Sequence, residues 1–210
     1  MFYPKINRES FGKDPFGYSA RAHLQWNMLE AIHEGGDFSP YSPVQEDELK
    51  NPVLWLSHAE ALTQAGLAVI KSTPGFETIP EPMRALCDSQ YCAAGLMLVG
   101  YSLEIALKGM MLLDLGIDAY KEMERKNKHH RLHDLANFIP DLSAKDKAIL
   151  RCLTYFIYWA GRYPDPGKGR ETEVEEIFNT SEKYRITAKD LFEVAGRIMS
   201  YAEVVVAKHC

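Results

Sequence analysis

The stretch from Tyr91 to Leu113 constrains the fold of this chain more than any other part of the sequence. It is almost wholly apolar, and its only charged residues are Glu104 and Lys108. Apolar side chains occur all round at the helical period, which is typical of a helix covered on every side, and Leu, Met and Ala favour helical backbone. The sequence therefore predicts a central buried helix that begins near Met83 and ends at Gly116.

Glu104 and Lys108 are the unusual feature of this helix. They are four residues apart with the acid on the N-terminal side, so they lie one turn apart on the same face and can pair. Two charges in an apolar row are costly to bury unless they are paired or face a cleft. We therefore predict a mostly buried ion pair, which is either purely structural or part of a functional site.

Composition and charge limit the class of protein. About twenty apolar residues are enough to cross a bilayer, but central charges are expensive in hydrocarbon, and the first residues lack a signal-peptide pattern. We expect a cytoplasmic protein with no membrane partner. The net charge of −5 argues against general coating of nucleic acid, and the 4 cysteines have no CxxC spacing, which favours reduced thiols.

The other segments predict helices, and no alternating strand pattern is found. Residues 1–20 are expected to form an extended arm packed on the body. Helices are predicted over 21–33 and 51–72, in a short segment near Leu135, after Ser143, and after Thr187, whereas 37–50, 118–128 and 167–186 are predicted to be loops or polar connections. The fold class is all-α, with residues 1–82 as an N-terminal arm and helices, packed on a helical bundle of residues 83–210 in one compact domain.

Three motifs together resemble a known family. They are the helix segment from Ser102 to Leu113, the sequence His-Asp-Leu at 133–135, and the sequence Gly-Arg-Tyr-Pro at 161–164. They are similar to the HEPN domain, a helical bundle of prokaryotic toxin–antitoxin, phage-defence and RNA-processing systems. The similarity covers about residues 83–164 and the last helix. It implies an up-and-down four-helix bundle, commonly a homodimer, with no cofactor.

The resemblance also implies a chemistry. Nuclease members of the family cut RNA without metal, using an Arg-x4-6-His pair from each of two protomers. The literal match here is Arg125 with His130. In such a reaction His takes a proton from a ribose 2′-hydroxyl while Arg stabilises the charged phosphorane.

Antiparallel packing predicts a polar cluster near the C-terminal half of the central helix. It gathers Glu104, Lys108, His133, Arg162 and Tyr163, of which Glu104, Lys108, His133 and Arg162 are the expected catalytic residues. Tyr163 and Asp134 are expected to bind a ligand, as are Arg125 and His130, which the resemblance adds. Arg162 and Lys108 would meet phosphate, Tyr163 would offer a stacking face, and His133 would exchange a proton.

Each of these groups also has a simpler interpretation. His129, His130 and His133 with Asp134 could bind a metal, but no further ligand has a characteristic spacing, so no metal is expected. His133 and Asp134 could cap a helix and reach the central helix, and Arg162 could bind helix carbonyls. The basic residues between Lys121 and Arg131 are typical of a solvated loop.

The sequence thus predicts a HEPN-like protein that binds RNA or a nucleotide. A catalytic member would be a metal-independent ribonuclease of a toxin–antitoxin or phage-defence system. The alternative is a non-catalytic helical module for protein interaction or for small ligands. Expected partners are RNA or a nucleotide, a second copy of the chain, and an antitoxin or other product of the same operon.

Overall fold

The computed structural model describes residues 5–126 and 130–209, except for the side chain of Lys126. Within this range the secondary structure is helical and contains no strand, which confirms the all-α class. The predicted role of His129 falls outside the described residues. The helices are α1 (Arg8–Lys13), α2 (Pro15–Ala20), α3 (Ala22–Glu34), α4 (Glu46–Leu49), α5 (Pro52–Lys71), α6 (Glu81–Leu115), α7 (Ile117–Lys126), α8 (Leu132–Leu135), α9 (Ala144–Tyr155), α10 (Thr172–Tyr184) and α11 (Ala188–Ala207).

The chain forms two compact units, residues 1–54 and residues 55–210. In the first unit the predicted extended arm is wrong, because residues 8–20 form α1 and α2. Each of these short helices has a side chain at its start that accepts backbone N–H groups, Asn7 for α1 and Asp14 for α2. Such caps satisfy the orphan donors of a helix start.

The second unit is built around α6, as the sequence predicts. Its C-terminal half is buried, including Leu103, Leu107 and Met110, each 0% exposed. Side chains from α8, α9 and α11 complete this core. α6 is therefore covered on several sides along the part that carries Glu104 and Lys108.

Glycines on α5 and α6 let α6 and its neighbours approach closely. A Cβ atom on Gly66 of α5 would lie 3.4 Å from Val99, and one on Gly109 of α6 would lie 3.3 Å from Trp55. Since the start of α5 meets the end of α6, the two helices are antiparallel. On another side of α6, Gly100 lies against Ile157.

α9 continues beyond Tyr155 as a π-helical turn, Phe156–Ala160, and ends at Gly161. Its start carries the predicted capping box, in which the Ser143 hydroxyl accepts the N–H of Asp146 and the Asp146 carboxylate accepts the N–H of Ser143. α11 has the same arrangement at Thr187 and Asp190. These two predicted starts are confirmed.

Each of the three predicted connections contains a helix: one turn, α4, lies within 37–50. The other two predictions are wrong over longer stretches, because α7 covers most of 118–128 and α10 lies within 167–186. Both are rich in charge, and few of their residues are apolar. Tyr120 of α7 is 0% exposed, and Glu173 and Glu176 of α10 accept hydrogen bonds from Trp159 and Tyr155 of the neighbouring segment. Their helical structure therefore depends on contacts with the rest of the unit.

Two helical stretches are long and apolar enough to cross a membrane by length and composition alone, Glu46–Lys71 and Glu81–Leu115. In the second, 56% of the most apolar window is buried inside the protein; in the first, 11% is buried. Core helices of soluble proteins meet the same criterion. The larger buried share of α6 matches that of such a core helix.

Candidate functional site

Glu104 is the centre of the site. Its side chain lies in the buried half of α6, and the residue is 4% exposed. Lys108 donates to it across 2.6 Å from Nζ to Oε1, and the Lys108 side chain is 18% exposed. The predicted buried ion pair is confirmed.

His130 is the second partner of this carboxylate. Its Nδ1 atom lies 2.7 Å from Oε1 and 2.8 Å from Oε2 of Glu104. Its backbone N–H donates to the hydroxyl of Tyr158 over 3.1 Å, and its ring meets the Tyr158 ring edge-on at 5.4 Å between centroids. These two contacts with α9 hold the imidazole over Glu104.

The sequence assigned this position next to Glu104 to His133, and that assignment is wrong. The partners of Glu104 in the described residues are Lys108 and His130. His130 precedes α8 and turns toward α6, whereas His133 lies inside α8 and faces a neighbouring cavity. Three residues along a turn are enough to change the face on which a side chain lies.

The contact with Glu104 gives His130 a defined orientation. A neutral imidazole carries its proton on one nitrogen and a lone pair on the other, and donation from Nδ1 to the carboxylate leaves the lone pair on Nε2. No hydrogen bond to Nε2 is found in residues 5–126 and 130–209. Because the side chain is 45% exposed, a ligand can reach it, and a carboxylate that orients a histidine in this way assists proton transfer.

A cavity of about 420 Å³ lies beside this group, and we call it the arginine cavity. Its walls come from α8, α9, α10 and the segments that precede α8 and α10. Three arginines, a histidine, two tyrosines and two glutamates dominate its lining: Arg131, His133, Arg151, Thr154, Tyr155, Tyr158, Arg170, Glu173 and Glu176. The three arginines exceed the two glutamates by one charge before His133 is counted.

The two glutamates of α10 already bind groups in the arginine cavity. Arg170 Nε donates to Glu173 over 2.9 Å, and this hydrogen bond raises the pKa of Arg170. Arg151 lies 3.6 Å from Glu176, which also accepts the Tyr155 hydroxyl at 2.6 Å. Burial, together with this hydrogen bond, raises the pKa of Tyr155, so its hydroxyl stays protonated.

Tyr158 connects the arginine cavity to His130. Its ring lines the cavity, contacts the His130 ring, and has the Arg170 guanidinium carbon 5.5 Å from its centroid. His130 and Arg170 therefore lie against the same aromatic ring. A ligand in the cavity would have an arginine and a carboxylate-bound histidine close to one another.

Arg162 and Tyr163 do not reach Glu104, which corrects their predicted place in the cluster. Arg162 Nη2 donates to the carbonyl of Tyr158, as in the simpler interpretation of this residue. Its guanidinium carbon lies 5.5 Å from the Tyr163 ring centroid, and Tyr163 is 58% exposed. The pair forms a cationic and aromatic surface next to the end of α9.

The remaining predicted ligand-binding residues lie elsewhere. Arg125 is in the last turn of α7 and pairs with Glu122, and no ion pair or hydrogen bond joins it to His130 within the described residues. Asp134 lies 3.5 Å from His133 and 3.8 Å from Arg131, at the edge of the arginine cavity. Asp134 is thus close to His133, as their sequence positions suggest.

Sequence reasoning missed most of the arginine cavity. Arg151, Tyr155 and Tyr158 recur at i, i+4 and i+7, which places them on one face of α9. This spacing was a usable signal for a polar face opposite the apolar stripe of that helix. Glu173 and Glu176 could not be placed because α10 itself was not predicted.

No group of three or more His, Cys, Asp or Glu side chains placed to hold a metal ion occurs in the described part of the chain. Comparisons with protein-family models, curated proteins and solved structures find no match. The chemistry of the site therefore rests on its own geometry, and the similarity to HEPN domains remains a prediction from sequence.

Proposed function

We propose that the chain binds single-stranded RNA at the arginine cavity and cleaves it by a metal-independent reaction in which His130 is the base. The observation that supports this most is the contact of His130 with the buried Glu104 carboxylate, together with the Tyr158 ring, which contacts His130 and lines the arginine cavity. A base that is oriented by a carboxylate and lies next to phosphate-binding groups is the set that RNA transesterification needs.

The reaction proceeds from the ribose 2′-hydroxyl. Nε2 of His130 takes its proton, and the 2′-oxygen attacks the adjacent phosphorus. The bond to the 5′-oxygen breaks, and that oxygen takes a proton from water. The products are a 2′,3′-cyclic phosphate and a 5′-hydroxyl, and His130 later returns its proton to solvent.

The arginines supply the positive charge that stabilises the phosphorane in this reaction. Arg170 lies against the same Tyr158 ring as His130, so it is the arginine we assign to the phosphorane. A guanidinium presents several donors to phosphate oxygens at once. Tyr158 and the exposed Tyr163 offer faces on which unpaired bases stack, which favours single strands over duplexes.

The sequence resemblance points in the same direction. It matches Arg125 and His130 to the Arg-x4-6-His pair, and His130 is the histidine that contacts Glu104. Arg125 pairs with Glu122 instead, so we assign its expected role to Arg170. A homodimer and an antitoxin or operon partner remain part of this proposal through the resemblance.

The test uses one fluorescent single-stranded RNA and four variants. His130→Ala and Glu104→Gln are expected to abolish or strongly slow cleavage with less than about threefold change in affinity, because they remove the base or its orientation. Arg170→Ala is expected to weaken binding by about tenfold, since a charged hydrogen bond to phosphate is lost. His58→Ala, an exposed histidine of α5, is the control and should behave as wild type.

The outcomes separate the alternatives. Binding without any cleavage by the wild-type protein would contradict the enzyme and favour a non-catalytic RNA-binding module. Neither binding nor cleavage would contradict the whole proposal. The protein-interaction interpretation of the fold would then become the leading one.

A further inference from the structure

A second cavity lies on the other side of α9 and is independent of the arginine cavity. Its volume is about 320 Å³, and we call it the apolar cavity. It lies between Leu96 of α6, Cys152 and Phe156 of α9, Ile177 and Ser181 of α10, and Leu191 of α11. None of the residues that line it carries a charge.

The packing of α10 explains why this space exists. No residue of α10 is fully buried, although Ile177 faces the space between α9 and α11. Glu173 and Glu176 attach the first half of α10 to α9 through polar contacts, so the apolar side of its second half does not close against the core. Protein interiors normally leave few voids larger than a water molecule.

The lining defines the chemistry of an occupant. Burial raises the pKa of the Cys152 thiol to about 11, so this group is neutral at pH 7. The start of α11 offers no anion site, because Thr187 and Asp190 cap it and Asp190 already pairs with Lys145 at 2.6 Å. A carboxylate or phosphate would meet the Asp190 charge without gaining a free cation there.

The volume of the apolar cavity limits the size of the molecule that it can bind. An apolar cavity of about 150 Å³ in an engineered protein stays dry and binds benzene. A cavity of 320 Å³ has room for a molecule of two fused rings, and it lies at the small end of the range of about 300–1,000 Å³ for ligand pockets. The Ser181 hydroxyl lies in the lining as a hydrogen-bonding group for one polar atom.

We propose that the apolar cavity binds a small, uncharged, mostly apolar molecule of about two fused rings that carries at most one hydroxyl group. This site does not depend on RNA binding or cleavage. It uses the opposite side of α9 and an adjacent face of α10, and it shares no lining residue with the arginine cavity.

The first test uses 1-naphthol as the probe and 1-naphthoate as its charged analogue. At about ten times Kd, 1-naphthol is expected to raise the Tm of the wild-type protein by about 3–6 °C, and 1-naphthoate should bind at least ten times more weakly. Ser181→Leu fills the cavity and should remove the Tm shift. Ser200→Leu, the same change at an exposed position of α11, should keep it.

A second measurement does not depend on how the variants fold. The wild-type protein is alkylated with N-ethylmaleimide, and each cysteine is followed by mass spectrometry with and without 1-naphthol. Modification of Cys152 should slow by the fraction of protein that is bound, while the exposed Cys92 should be unaffected. Unchanged alkylation of Cys152, or equal binding of 1-naphthoate, would overturn the proposal.

Discussion

The Nζ atom of Lys108 lies 2.6 Å from Oε1 of Glu104 inside a helix whose other buried residues are almost all apolar. Both carboxylate oxygens of Glu104 also lie within hydrogen-bond distance of Nδ1 of His130. One buried carboxylate thus has both a structural cation and a candidate catalytic base as partners. Removal of Lys108 takes the compensating cation from this carboxylate, and removal of His130 takes away a hydrogen-bond partner.

Lys108→Ala is expected to lower the free energy of unfolding by about 3 kcal/mol, because it leaves a buried charge without its ion pair. Urea unfolding at pH 7 measures the change. Lys189→Ala is the matched control, since Lys189 and Glu193 have the same i, i+4 spacing but exposed side chains, and it should cost less than about 1 kcal/mol. Equal costs for the two variants would contradict the buried pair.

Glu176→Gln is expected to tighten RNA binding by about threefold to tenfold. Glu176 competes with phosphate for Arg151, and its removal also makes the arginine cavity more positive. Fluorescence anisotropy at fixed salt measures the affinity. Glu175→Gln makes the same charge change at an exposed position of α10, so the same gain there would show a general charge effect instead of competition at Arg151.

Gly100→Ala tests how closely α6 and the end of α9 approach. The added Cβ atom would lie 2.8 Å from Cγ1 of Ile157 and 3.4 Å from the Leu153 carbonyl oxygen, so overpacking should cost about 1–3 kcal/mol. Gly196→Ala in α11 meets no atom within 4 Å and should stabilise by about 0.5–1 kcal/mol. Thermal unfolding of both variants checks the opposite signs, and a neutral or stabilising Gly100→Ala would contradict this packing.

The stability of the protein should fall at acid pH as the Asp146 carboxylate becomes protonated. Burial raises its pKa, but hydrogen bonds from Arg197 at 2.5 Å and from Ser143 outweigh burial and hold the pKa below the ordinary value of 3.8. A carboxyl group with a lowered folded-state pKa stabilises above its unfolded pKa and loses that contribution as pH falls through the folded value. Asp146→Asn should therefore cost about 1–2 kcal/mol at pH 7.

The pH dependence of the same variant is the sharper check. The difference in unfolding free energy between wild type and Asp146→Asn should stay constant above about pH 5 and shrink progressively below pH 3.8. Urea unfolding at several pH values measures it. A difference that stays the same down to pH 2 would contradict the assigned role of the Asp146 charge.

The long helices could be predicted because their signals are local. Ser143 and Thr187 each stand three residues before an aspartate, and both start helices by capping boxes. The apolar run of α6 gives its class and its approximate ends. α7 and α10 could not be predicted in this way, because their sequences are polar and their helical structure depends on contacts such as that of Glu173 with Trp159.

The same distinction between local and long-range signals applies to the residues of the site. The Glu104 and Lys108 pair follows from helical spacing alone, and the structure confirms it. The histidine that meets Glu104 lies 26 residues away in the chain, and its placement depends on the turn before α8 and on the Tyr158 hydroxyl. Neither is visible in the sequence, so helical spacing alone does not distinguish His130 from His133 as the neighbour of Glu104.

The central claim is that His130 removes the proton of a ribose 2′-hydroxyl, and the ends of the cleaved RNA test it most directly. Mass spectrometry of products from a defined single-stranded RNA should find a 2′,3′-cyclic phosphate and a 5′-hydroxyl. His130→Ala should yield none of these products, and an RNA with one 2′-deoxyribose should resist cleavage at that position. Products with a 3′-hydroxyl and a 5′-phosphate, or unchanged cleavage by His130→Ala, would contradict the claim.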